Sequence, residues 1–416
     1  MADLTIKPQS GSGNKLIIQD QAGGAVITTA DSGTTIANAT IPTITGNVTA
    51  SGNLTVSGNT TLTGDLVPST PLSNRNMIIN GAMQVWQRGT ASTTVTSPML
   101  LADRMNCRAQ EGSTHTVERS TDVPTTGEAS FTNSLKFTVG SSAGTISSST
   151  GNNYFDYRIE GYDSARVRMG TAYAKTVTVS FWVKASVTGA YGFTLGQDLA
   201  TCYATSYTVN VANTWEKKTI TVPGTSSGTW NTGNTVGIRL IWNWGAGSNY
   251  TASSVGWATA DDRGGYDAGS AVQLVANANA TWFITGIQLE LGSNATPFEH
   301  RSYGDELERC QRYYWRWTSA SYAYSAFCMG QGYGASEVNG VRDFPTTMRV
   351  PPSFAVSSPS NFWWSSGTGN TALSSISQWG ASVHTALLII GVSSGTAGYI
   401  RAAATTSAWA EFKAEL

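Results

Sequence analysis

Between residues 46 and 67 the chain repeats a six-residue unit that cannot shelter its own apolar side chains. It reads Gly-Asn-Val-Thr-Ala-Ser, Gly-Asn-Leu-Thr-Val-Ser, Gly-Asn-Thr-Thr-Leu-Thr, Gly-Asp-Leu-Val, with Gly46, Gly52, Gly58 and Gly64 in phase. Small apolar residues fall between the glycines: Val48 and Ala50, Leu54 and Val56, then Leu62 and Leu66. Alternation places them on one face of a short strand, and each Gly-Asn marks a turn. A unit this short must stack on its neighbours or on other chains. Three chains wound together would each supply one wall of a narrow shaft. A flexible linker is the alternative, since Gly-Thr-Ser-Asn composition also suits disorder. A linker, however, has no need of phased apolar residues.

Beyond Pro68 and Pro71 the pattern changes to longer alternating runs. Leu135–Val139, Val177–Val183, Trp215–Val222, Gly237–Trp244 and Trp282–Leu291 are separated by Gly, Ser, Asn and Pro turns. Many short strands with turn signals predict a two-sheet sandwich or jelly roll. Composition agrees. Only 12% of the 416 residues are charged, against about 25% in ordinary globular chains, and Thr, Val, Trp and Tyr favour strands. One segment departs from this. Ser302-Tyr-Gly-Asp305 resembles a capping box, and Leu307, Cys310 and Tyr314 recur at helical spacing. The predicted class is therefore all-β: a trimeric β-repeat shaft, a jelly-roll β-sandwich, one linking helix and a smaller C-terminal β domain. The expected divisions are 1–45, a shaft over 46–74, a jelly roll over 75–300, a connecting helix over 301–317 and a C-terminal β domain over 318–416. The length suits two or three domains.

The formal net charge of −1 comes without a basic stripe, so nucleic acid is not the expected partner. Cys107, Cys202, Cys310 and Cys328 are widely spaced and without a CxxC pair, which predicts free buried thiols. The N-terminus lacks the regions of a signal peptide and no apolar run is long enough to span a membrane. Synthesis in a cytoplasm and no membrane insertion are the expectation.

Three stretches together resemble the bacteriophage tail-fibre family that couples an N-terminal repeat shaft to a carbohydrate-binding-module-like jelly roll. The first is Asn76-Met-Ile-Ile-Asn-Gly-Ala-Met-Gln-Val-Trp-Gln-Arg-Gly89, with Ala102-Asp-Arg104 downstream. The second is Tyr157-Arg-Ile-Glu-Gly161 leading to Val179-Ser-Phe-Trp-Val-Lys184. The third is Phe283–Gly292, then Thr296–Gly304 and Cys310-Gln-Arg-Tyr-Tyr314, followed by Phe344-Pro-Thr-Thr-Met-Arg349 and Pro351-Pro352. The match covers most of residues 76 to 352. It implies virion association, trimerisation and binding to the host surface, with residues 1–45 attaching to a phage baseplate or tail protein. It supplies no ligand, because the shared motifs are fold-forming. A bacterial surface polysaccharide or lipopolysaccharide is the expected partner, and the virion, assembled in the host cytoplasm, the expected location. The same motifs carry physical readings: Asn80-Gly81 as a tight turn, Trp86 as a core anchor, and Arg88, Asp103 and Arg104 as a buried ion cluster.

Residues able to carry chemistry are sparse, and neither an enzyme nor a cofactor is expected. His115, His300 and His384 lie far apart, with no HExxH pair and no GxSxG elbow. Gly330-Gln-Gly-Tyr-Gly334 lacks the glycine spacing and helical context of a dinucleotide loop. A glycosidase needs two carboxylates about 5–9 Å apart in a cleft. Glu290, Glu299 and Arg301 read as structural, and adjacent Asp261-Asp262 side chains splay. With Asp267, that pair makes a weak calcium candidate, and no metal is otherwise predicted. Carbohydrate binding needs exposed aromatic faces with polar neighbours. Trp242 and Trp244 alternate with core positions. Tyr250, Trp257 and Tyr266 lie in a long loop that either covers the sandwich or presents them. Trp363 and Trp364, adjacent in a strand, face opposite sides. These five are the candidate carbohydrate contacts. A tailspike-type depolymerase and a structural baseplate or collar fibre are the alternatives to an adhesive fibre.

Overall fold

A computed structural model describes residues 73–416 apart from 92, 96–98, 110–114, 127–129, 143, 145, 147–148, 198–199, 268–270, 368 and 393–396. It also gives the backbone of three strands nearer the N-terminus. The chain divides into two compact units, Met1–Val67 and Pro68–Leu416. In the first, Ile17–Gln19, Ala25–Ala30 and Gly33–Ile36 form an antiparallel three-stranded meander. The hexads and the rest of the expected shaft up to residue 72 lie outside the described residues, as does most of segment 1–45.

The second unit is all-β and holds two sandwiches joined by a helix. In the larger, a jelly-roll-like sandwich, a six-stranded sheet has Val177–Ala185 beside Thr281–Leu291 at its centre. The opposing seven-stranded sheet is centred on Val236–Ala246, flanked by Gly189–Gln197 and Asn152–Glu160. The alternating runs behave as their pattern requires, each sending one side inward. Phe137 stacks on Trp244 at 3.8 Å between ring centroids, and Trp282 meets Trp244 edge-on at 5.3 Å. Trp242 lies among Phe155, Phe181 and Phe193. Burying each such side chain contributes roughly 1.5–3 kcal/mol. All four cysteines are buried and unbridged.

The smaller sandwich faces a three-stranded sheet (Tyr314–Thr318, Trp409–Lys413, Ser353–Val356) against a seven-stranded one. Strand order in the latter is Gly369–Ala372, Phe362–Ser366, Gly398–Ala402, Ala326–Gly332, Glu337–Asp343, Thr385–Gly391, Ser375–Ala381. Trp315, Phe412, Phe362, Trp364, Leu388 and Ile400 fill the space between.

The linking helix runs over Tyr303–Gln311, with the Ser302 hydroxyl accepting from Asp305 N at 3.1 Å as the capping signal requires. It is shorter than expected. Tyr314, assigned by spacing to the helical stripe, opens a strand instead, because Trp315-Arg-Trp-Thr alternates and pairs with Trp409–Lys413. A second, four-residue helical turn covers Gly161–Ser164.

Where the two sandwiches meet, charges are buried in pairs. Arg88 reaches Asp103 and Glu415, each at 2.9 Å, and Arg104 reaches Glu415 at 2.6 Å. Arg312 pairs with Glu160 at 2.6 Å, and Glu160 also accepts from the Tyr313 hydroxyl. Arg301 binds Glu306 at 2.8 Å, and Glu290 accepts from Thr296 and Gln288. Glu160, Glu290, Glu306 and Glu415 thus have structural partners.

Candidate functional site

The long loop after Gly245 lies down on the jelly roll. Gly264 N donates to Tyr250 O, and the Thr194 hydroxyl donates to Asp262 O. The loop comes so close to the sheet that a Cβ on Gly192 would stand 1.8 Å from Gly264 O. Only glycine fits there. The loop's aromatics are consequently half-buried. Trp257 packs edge-on against Tyr203 and Trp230 and donates its indole N–H to Pro223 O. Tyr250 lies under the Arg263 guanidinium at 4.6 Å, and Tyr266 pairs its strand with Thr251–Ala252. Of the two openings the sequence left for this loop, covering the sandwich is the one observed.

The same closure occupies the calcium candidates. Asp261 is bound by Arg263, and Asp267 accepts the Ala271 amide. Asp262 is buried; desolvation, reinforced by Asp261, raises its pKa above the ordinary aspartate value. Among the described residues no three Asp, Glu, His or Cys side chains gather to hold a metal.

The open surface is the outer face of the C-terminal seven-stranded sheet. Strand parity decides what it carries. Phe362, Trp364, Cys328, Ile400, Leu388 and Ile390 point into the core, so their neighbours point out. Trp364, expected among the carbohydrate contacts, is instead fully buried. Its adjacent partner Trp363 is half-exposed. Tyr399, Met329, Val341 and Leu387 are successive cross-strand partners on four neighbouring strands, forming one row across the sheet. Met329 is 78% exposed, Val341 53% and Tyr399 41%. At the sheet's edge the pairing of Ser375–Ala381 shifts between Gln378 and Gly380, and Trp379 in that bulge is 62% exposed. Bulges re-aim side chains in this way.

The row borders a groove. Ala326–Gly332 and Glu337–Asp343 pair only from Met329↔Val341 to Gly332↔Val338, and past Met329 they splay. Arg342 crosses the gap to donate to Phe327 O at 2.7 Å. The resulting hollow of about 530 Å³ is walled by Tyr399, Met329, Val341 and Asp343 and floored by Phe327 and Cys328. Burial pushes the Cys328 thiol up to about 12, though Arg342 opposes it, so it stays protonated and unreactive. The groove offers apolar and aromatic faces beside a carboxylate: a surface for contact. Met329, Val341, Tyr399 and Trp379 were not singled out from sequence. Alternation in their strands was the available signal, but it did not reveal which face would stay uncovered.

Neither protein families nor curated proteins give a match to the sequence. Among solved structures, a domain of tailspike protein 4 of bacteriophage CBA120 aligns at 14% identity and a TM-score of 0.25, over 52% of this chain and 21% of its own. This chain thus spans about a fifth of that tailspike's length. The carbohydrate-binding module TmCBM61, solved with β-1,4-galactotriose, aligns at 8% identity and a TM-score of 0.25, over 53% of this chain and all of its own. A family 11 carbohydrate-binding module of a Clostridium thermocellum cellulosomal cellulase aligns at 12% identity and 0.24, over 51% and 99%. Likeness this distant says nothing about a ligand or an activity.

Proposed function

We propose that this chain is a homotrimeric bacteriophage tail fibre that fastens the virion to a glycan on the bacterial surface and does not cut it. The exposed row Tyr399–Met329–Val341, with Trp379 at the sheet edge, carries the proposal. A solvated protein keeps large apolar side chains uncovered in one place when another molecule is to meet them. The row, the groove with Asp343 and the half-exposed Trp363 together offer both apolar faces and polar groups, which is what a sugar needs. The phased hexads and the three fibre-like stretches support the rest of the reading: a shaft of three chains, attached to a baseplate or tail protein through the N-terminus. Three linked sites hold a particle even when each is weak, because the later binding events become intramolecular.

The test is to incubate the full-length protein with purified envelope glycans of the host. Retention without release of oligosaccharide is expected. Release would make the chain a depolymerase, and the absence of both retention and release would make it a purely structural fibre. Replacing Met329 and Trp379 with alanine should lower retention on the order of tenfold. Stability should change by only about 0.5 kcal/mol, as is usual for exposed sites.

A further inference from the structure

Arg401 stands out on the same sheet face because nothing neutralises it. Four arginines at the junction of the two sandwiches, Arg88, Arg104, Arg301 and Arg312, meet carboxylates. Arg401 makes no ion pair among the described residues, and its Nε–H is buried without an acceptor in the protein. Its guanidinium carbon lies 4.9 Å from the Tyr324 ring centroid and 5.7 Å from that of Trp363. The two rings are 5.9 Å apart and inclined at 42°. On one flank its cross-strand partner is Trp363; on the other it is Ala326, exposed and too small to cover it. The outward carboxylates of this region, Glu337 and Asp343, are on Glu337–Asp343, two strands away, or about 10 Å at normal strand spacing.

Tyr324 is independently unusual. Its backbone sits at φ +70°, a left-handed conformation that an aromatic residue adopts at a cost. Its amide donates to Ala403 O, beside the strand bearing Arg401. Strain of this kind persists where the surroundings impose it, and it concentrates at ligand sites. Here it accompanies an aromatic ring, 40% exposed, set against a cation.

We infer that the glycan held by this face is acidic, its carboxylate or phosphate taken by Arg401 and its ring laid against Trp363 and Tyr324. This rests on the glycan-binding reading above and names its ligand class. The guanidinium lies beside both rings, and with its Nε–H buried it is the terminal Nη edge of this half-exposed side chain that can meet a ligand. That edge matches the two oxygens of a carboxylate or phosphate. The flanking rings hold the fork in place beforehand, which lowers the entropy lost on binding.

The experiment compares retention of the full-length protein on polygalacturonate, on phosphomannan and on carboxyl-reduced polygalacturonate. At least one acidic surface should hold it at least about tenfold better than the neutral one, and 0.5 M salt should erase most of the difference. Which acidic surface does so identifies the anion. Arg401→Gln should lose roughly ten- to a hundredfold on the acidic surface, the range for a charge-assisted contact, and change little on the neutral one. Equal retention on acidic and neutral surfaces would overturn the inference while leaving the glycan reading intact. So would unchanged acidic binding by Arg401→Gln, or salt-insensitive retention by the unaltered protein, a readout independent of any variant's folding. Failure on all three surfaces would also overturn it, and the host-glycan experiment then decides separately whether the fibre binds glycans.

Discussion

The Asn80-Gly81 pair condenses much of the fold into two side chains. Asn80 adopts φ +61°, donates to Val85 O and Asp103 O, and accepts from the amides of Gln84 and Val85. A dipeptide read as a turn thus also fastens the first segment to the one bearing Asp103. Gly81 has a different duty. A Cβ there would stand 2.1 Å from Ile287 O, in the middle of a core strand. Gly304, in the first turn of the linking helix, would meet nothing within 4 Å. The two glycines should therefore respond with opposite signs. Gly81→Ala should cost about 3 kcal/mol or more, since backbone must move, whereas Gly304→Ala should stabilise by about 0.5–1 kcal/mol. Thermal unfolding of both variants checks the pair. The turn was legible in the sequence. The close approach was not, because Ile287 is more than two hundred positions away.

Among elements, the strands that alternate cleanly were legible almost to the residue. Val177–Ala185 and Thr281–Leu291 extend the expected runs by one or two positions. Helical spacing misled at Tyr314, where three residues at the right interval suggested a stripe that strand pairing overrode. The elements at the junction also set the response to acid. Burial pushes the Glu160 carboxyl up, but hydrogen bonds from Arg312 and Tyr313 outweigh this and hold it below the ordinary glutamate range. Burial likewise opposes ionisation of Glu415, and Arg104 and Arg88 overcome it. A carboxylate with a depressed folded-state pKa contributes stability that is fully present above its unfolded value and lost as pH falls through the folded one. The unfolded value is about 4.3. Through these two groups the junction should loosen progressively below about 4. Asp103, whose carboxyl burial raises to about 6 against the pull of Arg88, acts in the opposite sense and removes stability as pH rises through 6. Unfolding midpoints in urea between pH 7 and pH 3 measure this, and Glu160→Gln should flatten the acid limb.

For the whole molecule, the proposed shaft predicts a copy number. A mass in solution of three times 43.9 kDa is expected, and deleting residues 46–66 should convert it to a monomer. A monomeric full-length protein would remove the reason for the phased hexads. Much about this chain follows from its sequence alone: the all-β class, the positions of the principal strands, the capped helix and the buried Trp242 and Trp244. All are consequences of local periodicity and turn chemistry, which act over a few residues. The contact surface required the tertiary structure. Alternation gives every strand two faces, but only packing decides which one a second sheet covers. The sequence left open whether the loop carrying Tyr250, Trp257 and Tyr266 covers the sandwich or presents its aromatics, and the structure folds it onto the jelly roll. Met329, Val341 and Tyr399 were unremarkable in sequence, and they became a surface when distant strands paired and their outer side was left to solvent.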